Sequence, residues 1–165
     1  MRVLSLTLAA SLWSLVVHAN PLARGWGDSI AWVSLQDGLD AARTSDQPLC
    51  LVIWKTWCGA CKNLRPVFAA SAEINELAGR FVMVNVVDDE EPKDAAYAPD
   101  GGYIPRILFL DSNGSVMTDV HTGNAQYKYF YSSADSIAEN MRRVAASSAA
   151  KLVDAAPPAA ELHDL

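Results

Sequence analysis

Two cysteines, Cys58 and Cys61, are separated by two residues in the motif Trp-Cys-Gly-Ala-Cys-Lys at positions 57–62. The motif follows an apolar run and precedes a segment with helical spacing, so Cys58 is predicted to lie at the first turn of a helix. There, unpaired backbone N–H groups and the positive end of the helix dipole stabilise a thiolate. Cysteines in such motifs have pKa values of about 3.5 to 7.5, which makes the sulfur nucleophilic near neutral pH. Cys61, one turn further on, is placed to attack a mixed disulfide formed by Cys58, so the pair predicts thiol–disulfide exchange.

Two other roles are open to this cysteine pair. A structural zinc site needs two further ligands at suitable spacing, and the three histidines, His18, His121 and His163, are scattered along the chain. A purely structural disulfide between Cys58 and Cys61 would close a loop so short that it adds little entropic stabilisation. We therefore favour the reactive centre and expect no metal site.

The third cysteine, Cys50, lies in the continuous apolar run of residues 49–54. Such a run is typical of a central strand that is covered on both faces. A buried cysteine behaves as a small apolar side chain, which is the interpretation we favour. If Cys58 and Cys61 pair with each other, Cys50 is left over, so an intermolecular disulfide is the alternative.

The first 19 residues have the pattern of a secretory signal peptide. Arg2 supplies the positive start, an apolar run of about 15 residues follows, and small residues precede the cleavage that we expect after Ala19. The apolar run is shorter than the roughly 20 residues that span a bilayer, so a membrane anchor is the less favoured interpretation. Export places the cysteines in an oxidising compartment.

Composition limits the remaining possibilities. The chain has 165 residues, of which 51% are hydrophobic, and this is enough for one packed domain. With 13 Lys and Arg against 19 Asp and Glu, and with no basic cluster, nucleic acid is not an expected partner. We predict a loose N-terminal segment at residues 20–27, a domain at residues 28–150, and a disordered tail rich in Ala and Pro at residues 151–165.

The hydrophobic pattern predicts the elements that position the cysteines. Their order predicts an α/β fold with a mixed sheet of about four to five strands and helices on both faces, and with the cysteines at the carboxyl end of a central strand. The predicted elements are a helix at 35–43 capped by Ser34, a strand at 49–54, a helix from Cys58 to about residue 70, a helix at 71–77, a strand at 81–87, a strand at 106–110, a turn at 111–114 returning as a strand at 115–120, and a helix from Ser132 or Ser133 to about residue 151.

An acidic segment, residues 88–94, follows the second long strand and is called here the acidic loop. A run of charges is most often a solvated surface, which is the simpler interpretation. The loop precedes Ile104 and Pro105, however, so a role in partner contact or in shaping the rim of the site is the alternative.

A family resemblance is carried by several stretches of this chain, among which the Pro-Asp-Gly-Gly-Tyr-Ile-Pro-Arg run is more specific than a Cys-x-x-Cys motif alone. These stretches lie at residues 55–62, 81–85, 90–94, 99–111 and 127–131. Together they resemble the thioredoxin superfamily, and within it the small endoplasmic-reticulum oxidoreductases related to the anterior-gradient proteins. The resemblance covers roughly residues 25–144.

This resemblance implies a thioredoxin fold and a thiol–disulfide oxidoreductase of the endoplasmic reticulum lumen, or a secreted one, that reduces, forms or isomerises disulfides in client proteins. It implies that Cys58 attacks the client and that Cys61 resolves the mixed disulfide. It also implies that Pro105 is a cis-proline facing the disulfide, with Ile104 before it; X–Pro bonds are the ones where the cis form is accessible.

Three residues beside the cysteines, Trp57, Gly59 and Ala60, are expected to contact the client together with Ile104 and Pro105. The backbone of Ile104 is expected to offer strand-like hydrogen bonds to an extended peptide. For Trp57 the alternative is an ordinary core side chain. Clients with thiols or disulfides, and glutathione or other oxidoreductases, are the expected partners. No cofactor is expected beyond glutathione as a candidate redox partner, and no membrane contact is expected after removal of the signal peptide.

Two features depart from the family pattern. Many relatives carry a buried carboxylate six residues before the first cysteine, where it helps to move protons to and from the resolving thiol, but this chain has Val52. Relatives in the reticulum end in a retention tetrapeptide of the Lys-Asp-Glu-Leu kind, whereas residues 162–165 read Leu-His-Asp-Leu. Retention is the expectation and secretion the alternative. Because some relatives lack one cysteine, a client-binding or adaptor role with minor redox activity is the second functional hypothesis.

Overall fold

The computed structural model describes residues 20–155. The predicted signal peptide and the predicted retention signal both lie outside the described residues. The elements within this range are β1 (Trp32–Val33), α1 (Leu35–Ser45), β2 (Leu49–Trp54), α2 (Gly59–Ala70), α3 (Ala72–Ala78), β3 (Val82–Val87), two single-turn 3-10 helices (Asp88–Glu90 and Ala95–Tyr97), β4 (Arg106–Leu110) and α4 (Ala134–Ala155).

The described strands form one mixed sheet in the order β1-β3-β2-β4. Strand β3 runs parallel to both β1 and β2, and β4 runs antiparallel to β2. Every residue of β2 is buried, as its continuous apolar sequence predicted for a strand with neighbours on both edges and cover on both faces. The thioredoxin fold and the mixed sheet expected from the sequence are therefore confirmed, with four strands in the described part of the chain.

The two faces of the sheet carry separate apolar clusters. On one face, Leu49, Leu51 and Ile53 pack with Ala42 of α1. The opposite face carries Cys50, Val52 and Trp54 from β2, and is covered by α2, α3 and α4, which contribute Leu64, Phe68, Ile74, Ile137, Met141 and Val144. Because neighbouring residues of a strand point to opposite faces, β2 contributes alternate side chains to each cluster.

The N-terminal segment, residues 20–27, was expected to be loose, and this expectation is wrong. Trp26 is fully buried, with its ring centroid 5.3 Å from that of Phe68 and 6.0 Å from that of Trp54. The segment has neither helix nor strand, as its Pro and Gly residues suggested, but the carbonyl groups of Leu22 and Ala23 find fixed partners in the core. This irregular segment is thus anchored by hydrogen bonds and by a buried aromatic side chain.

Asn85 of β3 is the partner that holds this segment. Its Nδ2 donates to the carbonyl oxygens of Leu22 at 2.9 Å and Ala23 at 3.1 Å, and its Oδ1 accepts from Nε1 of Trp54 at 2.7 Å. The amide is 1% exposed, so its hydrogen bonds replace those it would make with water. One buried polar side chain therefore joins the N-terminal segment to the end of β2.

The strand predicted at residues 115–120 does not form. The turn at 111–114 is present, because the Asp111 carboxylate accepts hydrogen bonds from the backbone N–H groups of Asn113 and Ser115. Pairing then stops after a single antiparallel bridge between Leu110 and Val116, since the chain turns again where the N–H of Val120 bonds the carbonyl of Met117. The sequence of residues 111–114 therefore predicts the turn correctly, but it does not determine the length of the strand that follows.

Other boundaries differ slightly from the sequence expectations. Strand β1 has only two residues and was not predicted, since so short a strand leaves no periodic signal. Helix α4 continues to Ala155, past the predicted end at residue 151, so the first residues of the predicted tail are helical. Its first turn is capped by Ser133, whose Oγ accepts from the N–H of Ser136.

Replacing Asn85 by Ala is expected to lower the free energy of unfolding by about 2–3 kcal/mol, because it leaves the Trp54 indole N–H and the Leu22 carbonyl without partners in the core and removes one of the two hydrogen bonds to the Ala23 carbonyl. Urea denaturation at neutral pH measures this loss. Asn113→Ala, at an exposed position, is the matched control and should change stability by less than about 0.5 kcal/mol. Equal stability of the two variants would mean that Asn85 does not hold the N-terminal segment.

Candidate active site

Cys58 is the N-cap of α2, as the sequence predicted. Its backbone is extended, and the helix begins at the next residue, Gly59. Its Sγ accepts a hydrogen bond from the backbone N–H of Cys61 at 3.1 Å, and its carbonyl accepts from the N–H of Lys62 at 3.1 Å. A sulfur atom thus occupies the place where Ser, Thr, Asp or Asn usually caps a helix. Negative charge on this sulfur is stabilised by the N–H groups and by the helix dipole.

The two motif cysteines are joined by a disulfide, with their Cα atoms 5.3 Å apart. Cys58 is 5% exposed, whereas Cys61 is completely buried beneath it. Of the two bonded residues, Cys58 is therefore the one with some contact with solvent. This asymmetry is the one that the roles of attacking and resolving cysteine require.

The residues next to Cys58 form an open surface. Trp57 is 72% exposed, and Gly59 and Ala60 are also exposed. The alternative that Trp57 is a core side chain is therefore wrong. A large exposed indole directly beside the disulfide offers an apolar contact surface at low conformational cost, and client contact by these three residues stays a prediction.

The sheet register brings the proline-containing turn to the same edge as the cysteines. Ile53 of β2 pairs with Arg106 of β4, so Pro105 lies level with the end of β2, from which the Cys-x-x-Cys motif continues. The Ile104–Pro105 peptide bond is cis, as the resemblance implied. Pro105 is buried, and Ile104 packs against the cluster that contains both cysteines.

The acidic loop is fixed to the site by ion pairs and hydrogen bonds, which agrees with the alternative that it shapes the rim. The Glu91 carboxylate pairs with the buried guanidinium of Arg106 and, at 2.6 Å, with Nζ of Lys55. Asp88 accepts a hydrogen bond from the N–H of Thr56 at 2.9 Å. These contacts lie directly before the motif and directly after Pro105. The solvated-surface interpretation is wrong for Asp88 and Glu91.

Arg106 is the residue of this network that sequence reasoning missed. Its side chain is 1% exposed although it belongs to an apolar strand. A charged group in such a place needs a buried counter-charge and partners for its other N–H groups. The sequence signal for a buried ion pair was thus an arginine at the start of the apolar strand Arg-Ile-Leu-Phe-Leu, with an acidic loop upstream to supply the carboxylate.

Charge around the loop lowers the pKa of two carboxyl groups. Burial alone would raise the pKa of Glu91, but hydrogen bonds and charge attraction from Lys55 and Arg106 outweigh it, and the pKa falls below its ordinary value. A hydrogen bond from Arg24 is the main reason why the pKa of Glu90 is also lowered. Both carboxylates are therefore ionised throughout the neutral range.

Position 52 confirms the departure from the family pattern. Val52 is completely buried, facing the cluster that contains Cys61, and its neighbours across the sheet are Asn85 and Ile107. The amide of Asn85 is already engaged in hydrogen bonds and is not a base at neutral pH. The side chains at this level of the sheet supply no carboxylate.

Cys50 is fully buried in β2, and this burial raises the pKa of its thiol to about 12. A protonated thiol without solvent access is neither nucleophilic nor able to reach another chain. The favoured interpretation as a core side chain is confirmed, and the intermolecular disulfide is contradicted.

Neither a metal-binding cluster nor a membrane-spanning helix is found among residues 20–155. In this range no group of three or more His, Cys, Asp or Glu side chains is arranged to hold a metal ion. None of the helices in the same range combines the length and the apolar character needed to cross a bilayer.

This chain is similar to known proteins in both sequence and fold. The thioredoxin-like family matches residues 31–112. Anterior gradient protein 2 of Xenopus tropicalis is 37% identical over 142 residues, covering 84% of this chain and 85% of that protein. Anterior gradient protein 3 of Mus musculus is 38% identical over 127 residues, covering 74% and 75%. A solved thioredoxin from Thermus thermophilus shares the fold, with a TM-score of 0.53 and 17% identity over 74% of this chain and 92% of that one.

The lowered pKa of Glu91 predicts a pH dependence of stability. Because its folded-state pKa lies below the unfolded value of about 4.3, the ionised carboxylate stabilises the fold at neutral pH, and this contribution is lost as the pH falls from about 4.3 through the folded pKa. Glu91→Gln is therefore expected to be less stable than the wild type at pH 7, with a difference that shrinks below about pH 4.3. Urea denaturation across pH 3–7 measures it, and a pH-independent difference would contradict the assignment.

Proposed function

This chain belongs to the thioredoxin superfamily and is a relative of the anterior gradient proteins, and from this we propose that it is a thiol–disulfide oxidoreductase acting on client proteins. The observation that carries the proposal is the position of Cys58, which caps α2 with its sulfur and is the more exposed of the two bonded cysteines. This arrangement provides a nucleophile, a resolving thiol and an intramolecular disulfide in one turn of helix.

In the reducing direction, the Cys58 thiolate attacks one sulfur of a client disulfide. A bond forms between Cys58 and that sulfur, the client S–S bond breaks, and the second client sulfur leaves as a thiolate that takes a proton from solvent. The helix N-terminus favours the Cys58 thiolate before the attack and again when it becomes the leaving group.

In the second step, the Cys61 thiol loses its proton and its sulfur attacks the Cys58 sulfur. The Cys58–client bond breaks, the client sulfur leaves as a thiolate, and the Cys58–Cys61 disulfide forms, which is the bond present in this structure. A thiol reductant such as glutathione restores the dithiol. The oxidising direction reverses both steps, and isomerisation uses the first step followed by attack from another client thiol.

The proton of Cys61 has no carboxylate acceptor at position 52. Val52 occupies that place and is completely buried, so we propose that water entering the opened site during the mixed-disulfide step accepts the proton. Such a route is slower than transfer to a positioned base. It is consistent with an enzyme that exchanges disulfides more slowly than relatives carrying the carboxylate.

The client is proposed to lie across the surface made by Trp57, Gly59 and Ala60 on one side and by Ile104 and Pro105 on the other. The exposed indole of Trp57 provides apolar contact, and the backbone of Ile104 provides hydrogen bonds to an extended segment around the client sulfur. The sheet register that places Pro105 level with the end of β2 supports this arrangement.

We place this activity in the lumen of the endoplasmic reticulum. The signal-peptide pattern of residues 1–19 and the final Asp-Leu of the chain support this location, and secretion is the alternative. An oxidising compartment holds many clients with disulfides, and glutathione or another oxidoreductase is the redox partner that we propose there.

A client-binding or adaptor role is the second candidate function, favoured by the match to the anterior gradient proteins. Trapping separates the two candidates. Cys61→Ala should accumulate mixed disulfides with clients if Cys58 attacks them, and these should disappear under reducing conditions. An adaptor would instead keep the same partners in Cys58→Ser.

Cys58→Ser is expected to abolish the reduction of insulin by this protein, because no sulfur then remains at the helix N-terminus to attack. Turbidity from the precipitating insulin chains measures the rate. Cys50→Ala is the matched control and should keep the wild-type rate, since that thiol is fully buried and protonated. Equal rates for Cys58→Ser and the wild type would reject the catalytic proposal.

Trp57→Ala is expected to raise KM for a protein client by about 3- to 10-fold while leaving stability unchanged, because a highly exposed indole contributes to contact and not to the core. Steady-state kinetics with a disulfide-containing client measure it. Val67→Ala, at an exposed position further along α2, is the control and should leave KM unaltered. A KM equal to the wild type in Trp57→Ala would remove this residue from the client surface.

A further inference from the structure

We propose that Glu91 is a positioning residue that holds the two sides of the client-binding surface at a fixed separation. One side is the cysteine loop, residues 55–58, and the other is the proline loop, residues 95–105. The inference rests on the proposed function for its meaning, but its structural basis is a bridge of named contacts across the edge of the sheet.

On the proline side, the bridge begins at Arg106, which directly follows Pro105. Its Nε donates to the carbonyl of Tyr97 at 3.1 Å and its Nη1 to the carbonyl of Tyr103 at 2.6 Å. Its Nη2 donates to Oε1 of Glu91. The guanidinium is 1% exposed, and it bonds one carbonyl near each end of the proline loop.

On the cysteine side, the other carboxylate oxygen of Glu91, Oε2, pairs with Nζ of Lys55 at 2.6 Å. Lys55 also donates to the carbonyl of Asp88 at 2.6 Å, and Asp88 in turn accepts from the N–H of Thr56 at 2.9 Å. The carbonyl of Lys55 accepts from the N–H of Cys58 at 3.1 Å. These contacts connect Glu91 with the turn that carries the attacking cysteine.

The position of the bridge explains why a side chain is needed there. At this edge of the sheet, Ile53 and Arg106 are the last residues that pair between β2 and β4. Beyond that pair, β2 leads into the cysteine loop, and the proline loop leads into β4. Glu91 continues the connection, because one of its oxygens contacts Lys55 of the cysteine loop and the other contacts Arg106, which directly follows the proline loop.

This geometry predicts a dependence on substrate size. An extended client must contact Cys58 and the backbone of Ile104 at once, so it needs the two loops at the correct separation. A small alkylating reagent needs only the Cys58 sulfur, whose helix-capping contact does not involve Glu91. Loss of the bridge should therefore weaken client turnover and leave small-reagent chemistry intact.

Glu91→Gln tests this in the full-length mature chain at pH 7 and at a temperature where the variant is folded. We expect KM for a disulfide-containing peptide to rise by about tenfold, and the rate of alkylation of reduced Cys58 by iodoacetamide to stay within about twofold of the wild type. Glu90→Gln is the matched control, because Glu90 pairs with Arg24 and Val87 N–H and not with either loop. The KM and the alkylation rate of Glu90→Gln should both stay within about twofold of the wild-type values.

A second variant and a second measurement keep the test independent of folding and of activity. Lys55→Gln breaks only the cysteine side of the bridge and should raise KM in the same way, whereas Lys55→Arg should restore it. Hydrogen exchange of reduced protein should accelerate in segments 55–58 and 95–105 of Glu91→Gln and not of Glu90→Gln.

Equal KM values for the two glutamate variants, or faster exchange spread evenly over the fold, would overturn the inference. A wild type without turnover would instead reject the proposed function, and the exchange measurement would still decide whether Glu91 joins the loops.

Discussion

The hydrogen bond between the Cys61 N–H and the Cys58 sulfur is the contact on which the site depends. It exists because β2 ends at Trp54, the chain turns, and α2 begins immediately after Cys58. Strand β2 is buried along its whole length and paired on both edges, so the turn that follows it has little freedom to move. The core of the sheet therefore determines where the sulfur meets the helix N-terminus.

Buried polar contacts hold the parts of the fold that apolar packing does not position. Apolar side chains build both faces of the sheet, but the irregular segments around the site are held by buried Asn85 and Arg106. A buried ion pair adds little net stability, since removing two charges from water offsets most of their attraction. The Arg106–Glu91 pair is better explained by the geometry it imposes on the loops beside the cysteines.

The sequence predicted the regular part of this structure well because regular elements leave periodic signals. The apolar run at 49–54, the helix opening at Cys58 and the Ser34 cap were each local patterns with a local physical cause. The predictions were wrong where contacts with residues far along the chain determine the local structure. Residues 20–27 looked loose because Asn85 lies far along the chain, and residues 115–120 resembled a strand although pairing ends after one bridge.

In the candidate site, too, some residues could be identified from the sequence and others could not. Cys58 and Cys61 were identified from spacing alone, and Ile104 and Pro105 from a resemblance, whereas the ion pairs of Glu91 needed the sheet register. An acidic run has the same sequence signature whether its charges face water or a buried arginine. Only the three-dimensional arrangement shows that Asp88 and Glu91 contact residues beside the cysteines and beside Pro105.

If the helix N-terminus makes Cys58 an easily ionised thiol, titration of this thiol in the reduced protein will show it. The rate of iodoacetamide alkylation is measured against pH in reduced Cys61→Ser, where Cys58 is the reactive sulfur and Cys50 remains buried. We expect a midpoint clearly below the value of about 8.5 for a free cysteine. A midpoint at or above about 8.5 would contradict it.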